Sequence, residues 1–341
     1  MNNPGGNTVR FLVIRMSSIG DIVLTTPVIR SLKQQVEYAQ VHFLVKEAFY
    51  PVVRANPYID RIHIFRGHLG DTIRELRKEQ FDYIIDLHHN IRSSLIKTRL
   101  RIMHFSFRKL NFRKWLLVRF KMNTLPQIHI VDRYLETVRL FDVENDGKGL
   151  DYFIPPEDEI GRSVFPEPFR MGYVLMVTGA AHATKTLTAE QMAEIIRRMN
   201  LPVVLAGGPA EKEEAKLIQS LCPGEVVWNT CGEFNINRSA SLVRQSSVVI
   251  TPDTGLMHVA AAFRKPVISV WGNTVPEFGM TPYMPHPAST IFEVKGLSCR
   301  PCSKIGYDRC PKKHFHCIQK QPLNDMARLA VRLFQKYRYQ L

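Results

Sequence analysis

The sequence lacks the features that would place it in or across a membrane. It has no run of about 18 apolar residues, the length that a membrane-spanning helix needs. Residues 1–10 are polar and rich in glycine and asparagine, so they do not resemble a signal peptide. The sequence also has no short-period repeat and no low-complexity run. We therefore expect a cytoplasmic protein.

Cysteine is sparse. In a cytoplasmic chain, the six cysteines are expected to be reduced or metal-bound rather than paired in disulfides.

A content of 45% hydrophobic and 23% charged residues is ordinary for a soluble globular protein. The length of 341 residues exceeds the usual limit for one hydrophobic core, so we expect two domains of roughly 150 to 170 residues.

Acidic residues are absent between Asp86 and Asp132, whereas this stretch holds ten lysines and arginines. Large apolar side chains lie among these cations, namely Phe105, Phe107, Phe112, Trp115, Leu116, Leu117, Val118 and Phe120. Such a segment suits an anionic membrane surface or an acidic amphiphile. Aromatic residues among arginines also suit nucleic acid, and a core helix with a solvated basic face is a third interpretation.

Strand patterns alternate with helical patterns along most of the chain. In the first half, strands are predicted at residues 9–15, 41–45, 61–65 and 83–87, with helices at 22–33, 47–54, 69–79 and 129–141. After a proline-rich crossing at 142–170, strands are predicted at 173–178, 203–206, 226–229, 247–251 and, last, 266–271, with helices at 188–199, 211–221, 237–245 and 325–339. This alternation predicts an α/β fold with two parallel, doubly wound, Rossmann-like halves and a substrate cleft between them.

Residues 249–262, in the last third of the chain, have the pattern of a strand, a tight turn and an alanine-rich helix. The first N–H groups of a helix are unpaired and carry partial positive charge, so Thr254, Gly255 and Leu256 are predicted to donate to a phosphate. Asp253 is predicted at the N-cap, where it caps the helix or faces a ligand hydroxyl, and His258 follows one turn later. The alternative interpretation is an ordinary capped helix after a buried strand.

Three more polar residues follow predicted strands. Asp21 ends a Ser-Ser-x-Gly-Asp turn after the first strand, where a carboxylate can act as a general base or cap the next helix. Lys185 lies in a loop where an ammonium could stabilise a diphosphate leaving group, although loop lysines are usually just solvated. Glu211 begins a helix after Gly-Gly-Pro and could bind a ribose diol or complement the helix dipole.

These motifs together resemble glycosyltransferase family 9, the heptosyltransferases that move heptose from ADP-heptose to the lipopolysaccharide inner core. The resemblance is carried by Ser-Ser-Ile-Gly-Asp-Ile-Val-Leu-Thr-Thr-Pro at residues 17–27, the Lys185 loop, Gly-Gly-Pro before Glu211, and Asp-Thr-Gly-Leu-Met-His at 253–258. It implies a glycosyltransferase B fold, in which the N-terminal half binds the acceptor and the C-terminal half binds the nucleotide sugar.

The resemblance also implies residue roles. Asp21 matches the proposed catalytic base, Lys185 the phosphate-binding lysine and Glu211 the ribose-binding acid. The other implied substrate-binding residues are Ser18, Gly20, Phe234, Asn235, Asp253, Thr254, Gly255 and His258. Asp21 would take a proton from the acceptor hydroxyl, which attacks the anomeric carbon with inversion, while Lys185 and the helix N-terminus stabilise the departing ADP. The resemblance implies no metal and no cofactor.

The predicted domains are residues 1–165 for the acceptor, residues 166–324 for the nucleotide sugar, and a C-terminal helix at 325–341 that crosses back towards the first domain. We expect a monomer at the cytoplasmic face of the inner membrane. Residues 92–121, the basic aromatic window, would hold a phosphorylated, lipid-linked acceptor.

Two alternatives stay open. One is a transferase of the same fold that uses another nucleotide sugar for cell-surface polysaccharide, and the other is a basic protein that binds nucleic acid or membrane. We expect no nucleic-acid partner, because nucleic-acid binding gives no reason for Asp21, Lys185 and Asp253 to follow strands.

Four cysteines lie near the C-terminus as Cys299-x2-Cys302-x7-Cys310-x6-Cys317, with two histidines close by. They could form a structural zinc site, stay as reduced thiols, or take part in disulfide or redox chemistry. The later spacings match no standard zinc motif.

Overall fold

A computed structural model describes residues 8–338, which form two compact units. The first unit contains the described residues up to Lys109 together with Ile128–Phe153. The second contains Leu110–Gln127 and the described residues from Ile154 onwards. The chain therefore enters the second unit, returns to the first and enters the second again, which the sequence did not predict. The predicted domain boundaries at residues 165 and 324 stay predictions.

The first unit is built on a five-stranded parallel sheet with the order β3-β2-β1-β4-β5. Its strands are β1 (Val9–Ile14), β2 (Ala39–Lys46), β3 (Arg61–Phe65), β4 (Tyr83–Asp86) and β5 (Met103–Ser106). The helices of the first unit are α1 (Ile19–Val23), α2 (Thr26–Gln35), α3 (Tyr50–Val53), α4 (Leu69–Lys78), α5 (Ile91–Leu100) and α7 (Ile130–Leu135). Between α5 and α7 along the chain lies α6 (Asn111–Phe120), which belongs to the second unit.

The second unit is built on a six-stranded parallel sheet with the order β11-β10-β9-β6-β7-β8. Its strands are β6 (Val174–Val177), β7 (Val203–Ala206), β8 (Val227–Asn229), β9 (Val248–Pro252), β10 (Val267–Trp271) and β11 (Thr290–Glu293). Its remaining helices are α8 (Ala189–Met199), α9 (Lys212–Ser220), α10 (Ile236–Gln245), α11 (Gly255–Ala262), α12 (His316–Gln319) and α13 (Leu323–Tyr337).

The central strands are continuous apolar runs because helices cover both faces of each sheet. Phe11, Leu12, Val13 and Ile14 of β1 are fully buried, and every residue of β6, β7, β9 and β10 is buried. These strands were predicted within one or two residues. The Rossmann-like α/β architecture predicted from the alternation is confirmed for each unit.

The structure contains two strands that were not predicted, and some predicted elements have the wrong extent. The strand at 266–271 is not the last, since β11 follows it, and β5 lies inside the basic aromatic window where no strand was predicted. Both are edge strands with half-buried or exposed residues, so they lack the continuous apolar run of a central strand. The helix predicted at 22–33 is two helices, because Pro27 occupies the first turn of α2.

Three predicted helices also differ in their ends. The one at 47–54 begins with a 3-10 turn, Glu47–Phe49, before the short α3. The one at 129–141 ends at Leu135 and resumes as a 3-10 turn, Arg139–Phe141. The C-terminal helix α13 ends at Tyr337, and predicted residue Tyr339 lies outside the described residues. Helix α13 packs against α8 of its own unit, where Met326, Leu333 and Phe334 join the core.

Each sheet has one point where the strand order reverses, between β1 and β4 in the first sheet and between β6 and β9 in the second. In open parallel sheets, ligands bind beyond the carboxyl ends of the strands at such points. Asp21 follows β1, while Lys185 and Asp253 follow β6 and β9. Within residues 8–338, no helix has the length and apolar character needed to span a bilayer.

Candidate functional site

An ion pair lies at the reversal point of the second sheet. Lys185 belongs to the loop after β6, and its Nζ donates to Asp253 Oδ2 at 2.7 Å. Asp253 directly follows β9, and the same oxygen accepts a hydrogen bond from Thr274 Oγ1 at 3.1 Å. The Lys185 and Asp253 side chains are each 14% exposed, so the pair is largely shielded from water but still reachable. The sequence had predicted both residues for one site.

Helix α11 begins beside this pair. Its N-cap is Thr254, with no capping hydrogen bond from the Thr254 side chain, so the prediction that Asp253 is the N-cap was wrong. The Asp253 carboxylate is instead held by Lys185 and Thr274. The first N–H groups of α11, including those of Gly255 and Leu256, have no partner within the helix and lie at the carboxyl edge of the sheet. His258 is buried in α11 with 2% of its surface exposed.

The loops after β6 and β7 meet at Glu211. Its Oε2 accepts a hydrogen bond from the backbone N–H of Gly208 at 2.7 Å, which fixes the carboxylate at the start of the turn. A Cβ at Gly179 would lie 2.3 Å from Glu211 Cγ, so only glycine leaves room for this side chain. Glu211 therefore lies against the same loop that carries Lys185.

Phe234 and Asn235 lie in the loop after β8. The Asn235 Oδ1 caps α10 by accepting from the N–H of Arg238 at 2.9 Å, and its Nδ2 donates to Asp158 Oδ1 at 2.8 Å. The Arg238 guanidinium lies 4.7 Å from the Phe234 ring centroid and covers one face of that ring. Asn235 thus supports α10, whereas the half-buried Phe234 ring is placed at the same carboxyl edge as Glu211.

The loop after β10 also belongs to the site, although the sequence did not predict it. The N–H of Asn273 donates to Thr184 O at 3.1 Å, and a Cβ at Gly272 would lie 2.3 Å from that oxygen. Arg300 holds the loop from the other side by donating to Gly272 O at 2.6 Å and to Thr274 O at 2.7 Å. In the sequence, only the Gly-Asn pair directly after a predicted buried strand indicates that this loop could belong to the site.

In the first unit, Asp21 lies in the first turn of α1. Its Oδ2 accepts from Ser18 Oγ at 2.8 Å, and its Oδ1 pairs with Arg15 Nη2 at 2.6 Å. Burial would raise the pKa of the Asp21 carboxyl, but the charge of Arg15 and the Ser18 hydrogen bonds outweigh it and hold that pKa below its ordinary value. Arg15 is itself fixed by Tyr134 Oη at 3.0 Å and Leu87 O at 2.5 Å. The sequence had missed Arg15.

A second buried carboxylate lies on the neighbouring strand. Asp86 ends β4, is fully buried and pairs with Lys97 Nζ at 2.7 Å. Burial, together with the charges of Arg15 and Lys109, lowers the pKa of His88 to about 4. The pKa of Lys109 is also lowered, first by burial and then by Arg15. Arg15, Lys97 and Lys109 therefore give this region one more cation than the two carboxylates Asp21 and Asp86 balance.

The central helix of the basic aromatic window, α6, packs on the second unit. Leu117 is buried against Val275 and Phe278, which follow β10. Lys121 Nζ donates to Pro301 O at 2.7 Å and to Cys299 O at 3.2 Å. Helix α6, part of the window predicted to hold the acceptor, thus packs on the loop after β10. The same loop contains Thr274, which donates a hydrogen bond to Asp253.

Three aromatic residues of α6 are exposed. Phe112, Trp115 and Phe120 are 69%, 44% and 55% exposed. The Trp115 ring stacks on Phe112 with centroids 5.9 Å apart and meets Phe120 edge-on at 5.3 Å. Together they form an apolar patch, which we call the aromatic patch, on a helix that also carries Arg113 and Arg119.

None of the six cysteines, all of which lie within the described residues, forms a disulfide. The cysteine-rich segment packs over the Lys185 loop, where Thr184 Oγ1 accepts from the N–H of Tyr307 at 2.8 Å. Burial raises the pKa of Cys302 and Cys317 to about 11, which keeps both as neutral thiols at neutral pH. Cys299 Sγ lies 3.7 Å from His314 Nε2. The zinc, reduced-thiol and redox interpretations of this segment stay predictions.

Comparison with models of protein families identifies the family of this chain. The model described as "Glycosyltransferase family 9 (heptosyltransferase)" matches residues 70–311, which is more than half of the chain. The chain belongs to glycosyltransferase family 9. It is therefore a transferase, and the family resemblance noted in the sequence is confirmed.

Individual relatives of this glycosyltransferase extend the match. Lipooligosaccharide heptosyltransferase 2 of Haemophilus influenzae is 23% identical over 312 residues, which cover 84% of this chain and 90% of that protein. A family 9 glycosyltransferase structure from Veillonella parvula has a TM-score of 0.76 at 20% identity and covers 98% of this chain and 100% of that one. The Escherichia coli heptosyltransferase WaaC with ADP has a TM-score of 0.66 at 19% identity, with 95% and 100% covered. The structural likeness shows the glycosyltransferase B fold.

The family match includes Lys185, Glu211 and Asp253 of this glycosyltransferase, whereas Asp21 precedes it. The roles of these residues stay predictions.

Proposed function

We propose that this glycosyltransferase transfers heptose from ADP-heptose to the lipopolysaccharide inner core, with inversion at the anomeric carbon. The observation that carries the proposal is the Lys185–Asp253 pair at the start of α11. It supplies an ammonium, a carboxylate and free helix N–H groups at the reversal point of one sheet. The curated relative from Haemophilus influenzae is named as a lipooligosaccharide heptosyltransferase.

The donor would bind through its diphosphate and ribose. A diphosphate at the N-terminus of α11 would accept hydrogen bonds from the helix N–H groups, while Lys185 lies close enough to neutralise its charge. Asp253 is then left with Thr274 as partner and can accept from a hydroxyl of the sugar. The Glu211 carboxylate, fixed by Gly208, is suited to a ribose diol. The related WaaC was solved with ADP.

Asp21 would act as the base towards the acceptor hydroxyl. Because its pKa is held below the ordinary value, the carboxylate is ionised at neutral pH and ready to accept a proton. The oxygen that receives the proton would exchange its Ser18 hydrogen bond for the acceptor hydroxyl, and Arg15 would keep the other oxygen in place. The acceptor oxygen then attacks the anomeric carbon as the bond to the ADP oxygen breaks.

The acceptor is proposed to be a phosphorylated, lipid-linked core oligosaccharide at the cytoplasmic face of the inner membrane. The half-buried Lys109, whose charge acts on Asp21, suits its phosphates. The aromatic patch of α6, flanked by arginines, suits peripheral contact with anionic lipid. Nucleic acid is not proposed as a partner, and the protein would act as a monomer, which light scattering would test.

Calorimetric titration of the purified protein with ADP, UDP, GDP and CMP tests the donor assignment. The proposal predicts that ADP binds most tightly and that Lys185→Ala and Asp253→Ala both weaken it. A preference for UDP or GDP would keep the fold and the site but favour the second candidate, a transferase with another nucleotide sugar. If none of the four binds at millimolar concentration, the proposed donor site is wrong.

A further inference from the structure

A cluster of metal-ligand side chains lies in the first unit, away from Asp21. His42 is on β2, His63 is on the adjacent β3, and Glu79 directly follows α4. His42 Nδ1 lies 3.0 Å from His63 Nε2 and 3.9 Å from Glu79 Oε2. Within residues 8–338, this is the one group of three His, Cys, Asp or Glu residues whose ligand atoms all lie within 4.8 Å of one another. We propose that it binds a divalent transition-metal ion of the zinc type.

The spacing of the three ligand atoms fits such an ion. Zinc lies about 2.0 to 2.1 Å from imidazole nitrogen and about 2.0 to 2.2 Å from carboxylate oxygen, so neighbouring ligands in a tetrahedral site are roughly 3.3 Å apart. The two nitrogens, 3.0 Å apart, are close to this spacing, and Glu79 Oε2 must approach His42 Nδ1 by about half an ångström. His42 and His63 lie on adjacent paired strands, so their backbone positions are fixed by the sheet.

The two histidines are enclosed by the protein, with only 5% and 8% of their surfaces exposed. One proton can be shared between the two facing nitrogens, and a carboxylate oxygen points at the same space, so lone pairs outnumber protons there.

Arg61 supports the third ligand. Its Nη1 lies 2.8 Å from Glu79 Oε1 and 2.9 Å from Oε2, so it holds the carboxylate towards the histidines. When Oε2 turns to the metal, Oε1 can stay paired with Arg61, which is the arrangement of a typical outer-shell partner. With three protein ligands, the ion keeps a position for water.

The position in the sheet indicates a structural role. Glu79 precedes β4 and therefore lies at the amino edge of the sheet, whereas Asp21 follows β1 at the carboxyl edge. An ion here would link β2, β3 and the end of α4, so its main effect would be on stability rather than on sugar transfer.

Titration of the chelator-treated, full-length protein with Zn²⁺ and Co²⁺ tests the proposal. We expect one equivalent to bind and to raise the melting temperature. The Co²⁺ form should show visible d–d bands without the intense near-ultraviolet band that thiolate ligands produce, which distinguishes this site from the cysteine segment.

Two variants and one control complete the test. Glu79→Gln and His63→Gln should weaken metal binding by at least about tenfold and abolish the metal-dependent rise in melting temperature. His68→Gln, an exposed histidine beside α4, should leave both unchanged. Circular dichroism in chelator confirms that each variant folds. The proposal is overturned if no ion binds, if the Co²⁺ spectrum shows thiolate ligands, or if both variants bind the ion as tightly as the unmodified protein.

Discussion

Lys185 and Asp253 form an ion pair of 2.7 Å between loops that follow two neighbouring strands at the reversal point of the second sheet. The ion pair holds the lysine at the start of α11. In the proposed donor site, this would lower the entropic cost of placing its charge against a diphosphate. Because Thr274 also donates to Asp253, the carboxylate keeps one partner when the ammonium turns to a ligand.

Lys185→Ala should weaken ADP binding by roughly tenfold to a hundredfold, because a hydrogen bond to a charged group contributes about 1.5 to 3 kcal/mol. Isothermal titration calorimetry measures the change. The matched control is Lys304→Ala, which removes an exposed lysine from the same unit and should leave the affinity unchanged. Equal affinities for ADP in all three proteins would remove Lys185 from the donor site.

Asp21→Asn should lower kcat by about a hundredfold to ten-thousandfold and leave ADP affinity unchanged, because the amide cannot accept the acceptor proton. Steady-state kinetics and calorimetry separate the two effects. If kcat falls less than about tenfold, Asp21 is not the base.

The pH dependence of activity should reflect the lowered pKa of Asp21. The unmodified protein should show no loss of kcat/KM from this group down to about pH 4, the ordinary range of a carboxyl. The Arg15→Gln variant lacks the positive charge that lowers the pKa of Asp21. Burial then raises that pKa, so the acid limb of the pH profile should move to higher pH. The stability from the Arg15–Asp21 pair is present above the unfolded pKa and is lost as pH falls through the lower folded pKa. An identical acid limb in both proteins would contradict this account.

Gly272→Ala should destabilise the protein by about 1 to 3 kcal/mol, because the new Cβ would lie 2.3 Å from the backbone oxygen of Thr184. It should also weaken ADP binding by displacing the Lys185 loop. Gly224→Ala is the matched control, since its Cβ meets nothing within 4 Å. Denaturant unfolding compares the two, and similar losses of stability would show that the close approach at Gly272 is unimportant.

The aromatic patch should carry membrane contact. Replacing Phe112, Trp115 and Phe120 together by serine should reduce co-sedimentation with anionic phospholipid vesicles at least about tenfold, because the buried apolar area is lost. Leu140→Ser, at an even more exposed apolar residue outside α6, serves as the control. Binding should also fall with added salt and be weak on zwitterionic vesicles. Unchanged sedimentation of the triple variant would rule out the patch.

The sequence was informative where local pattern decides structure. Buried parallel strands are apolar throughout, and small or charged residues just after them mark the ligand edge of the sheet. Asp21, Lys185 and Asp253 could therefore be placed from sequence alone, and the pairing of the last two follows from neighbouring parallel strands.

Tertiary packing determined what the sequence could not. The apolar side of α6 was visible, but nothing local indicates that Leu117 would pack on Val275 and Phe278, far along the chain. Arg15 looked like the end of a strand rather than the partner of Asp21. Local pattern predicted Asp253 as the N-cap, but the side chains of Lys185 and Thr274 bind its carboxylate instead.

The most direct test of the proposed function is heptosyl transfer itself. The purified protein is incubated with ADP-heptose and a lipid-linked, phosphorylated core acceptor, and product, ADP and anomeric configuration are followed by mass spectrometry and nuclear magnetic resonance. We predict one heptosyl group added per ADP released, with inverted configuration, and at least about a hundredfold slower transfer by Asp21→Asn. Absence of transfer from ADP-heptose while ADP still binds, or retention of configuration in the product, would contradict the account.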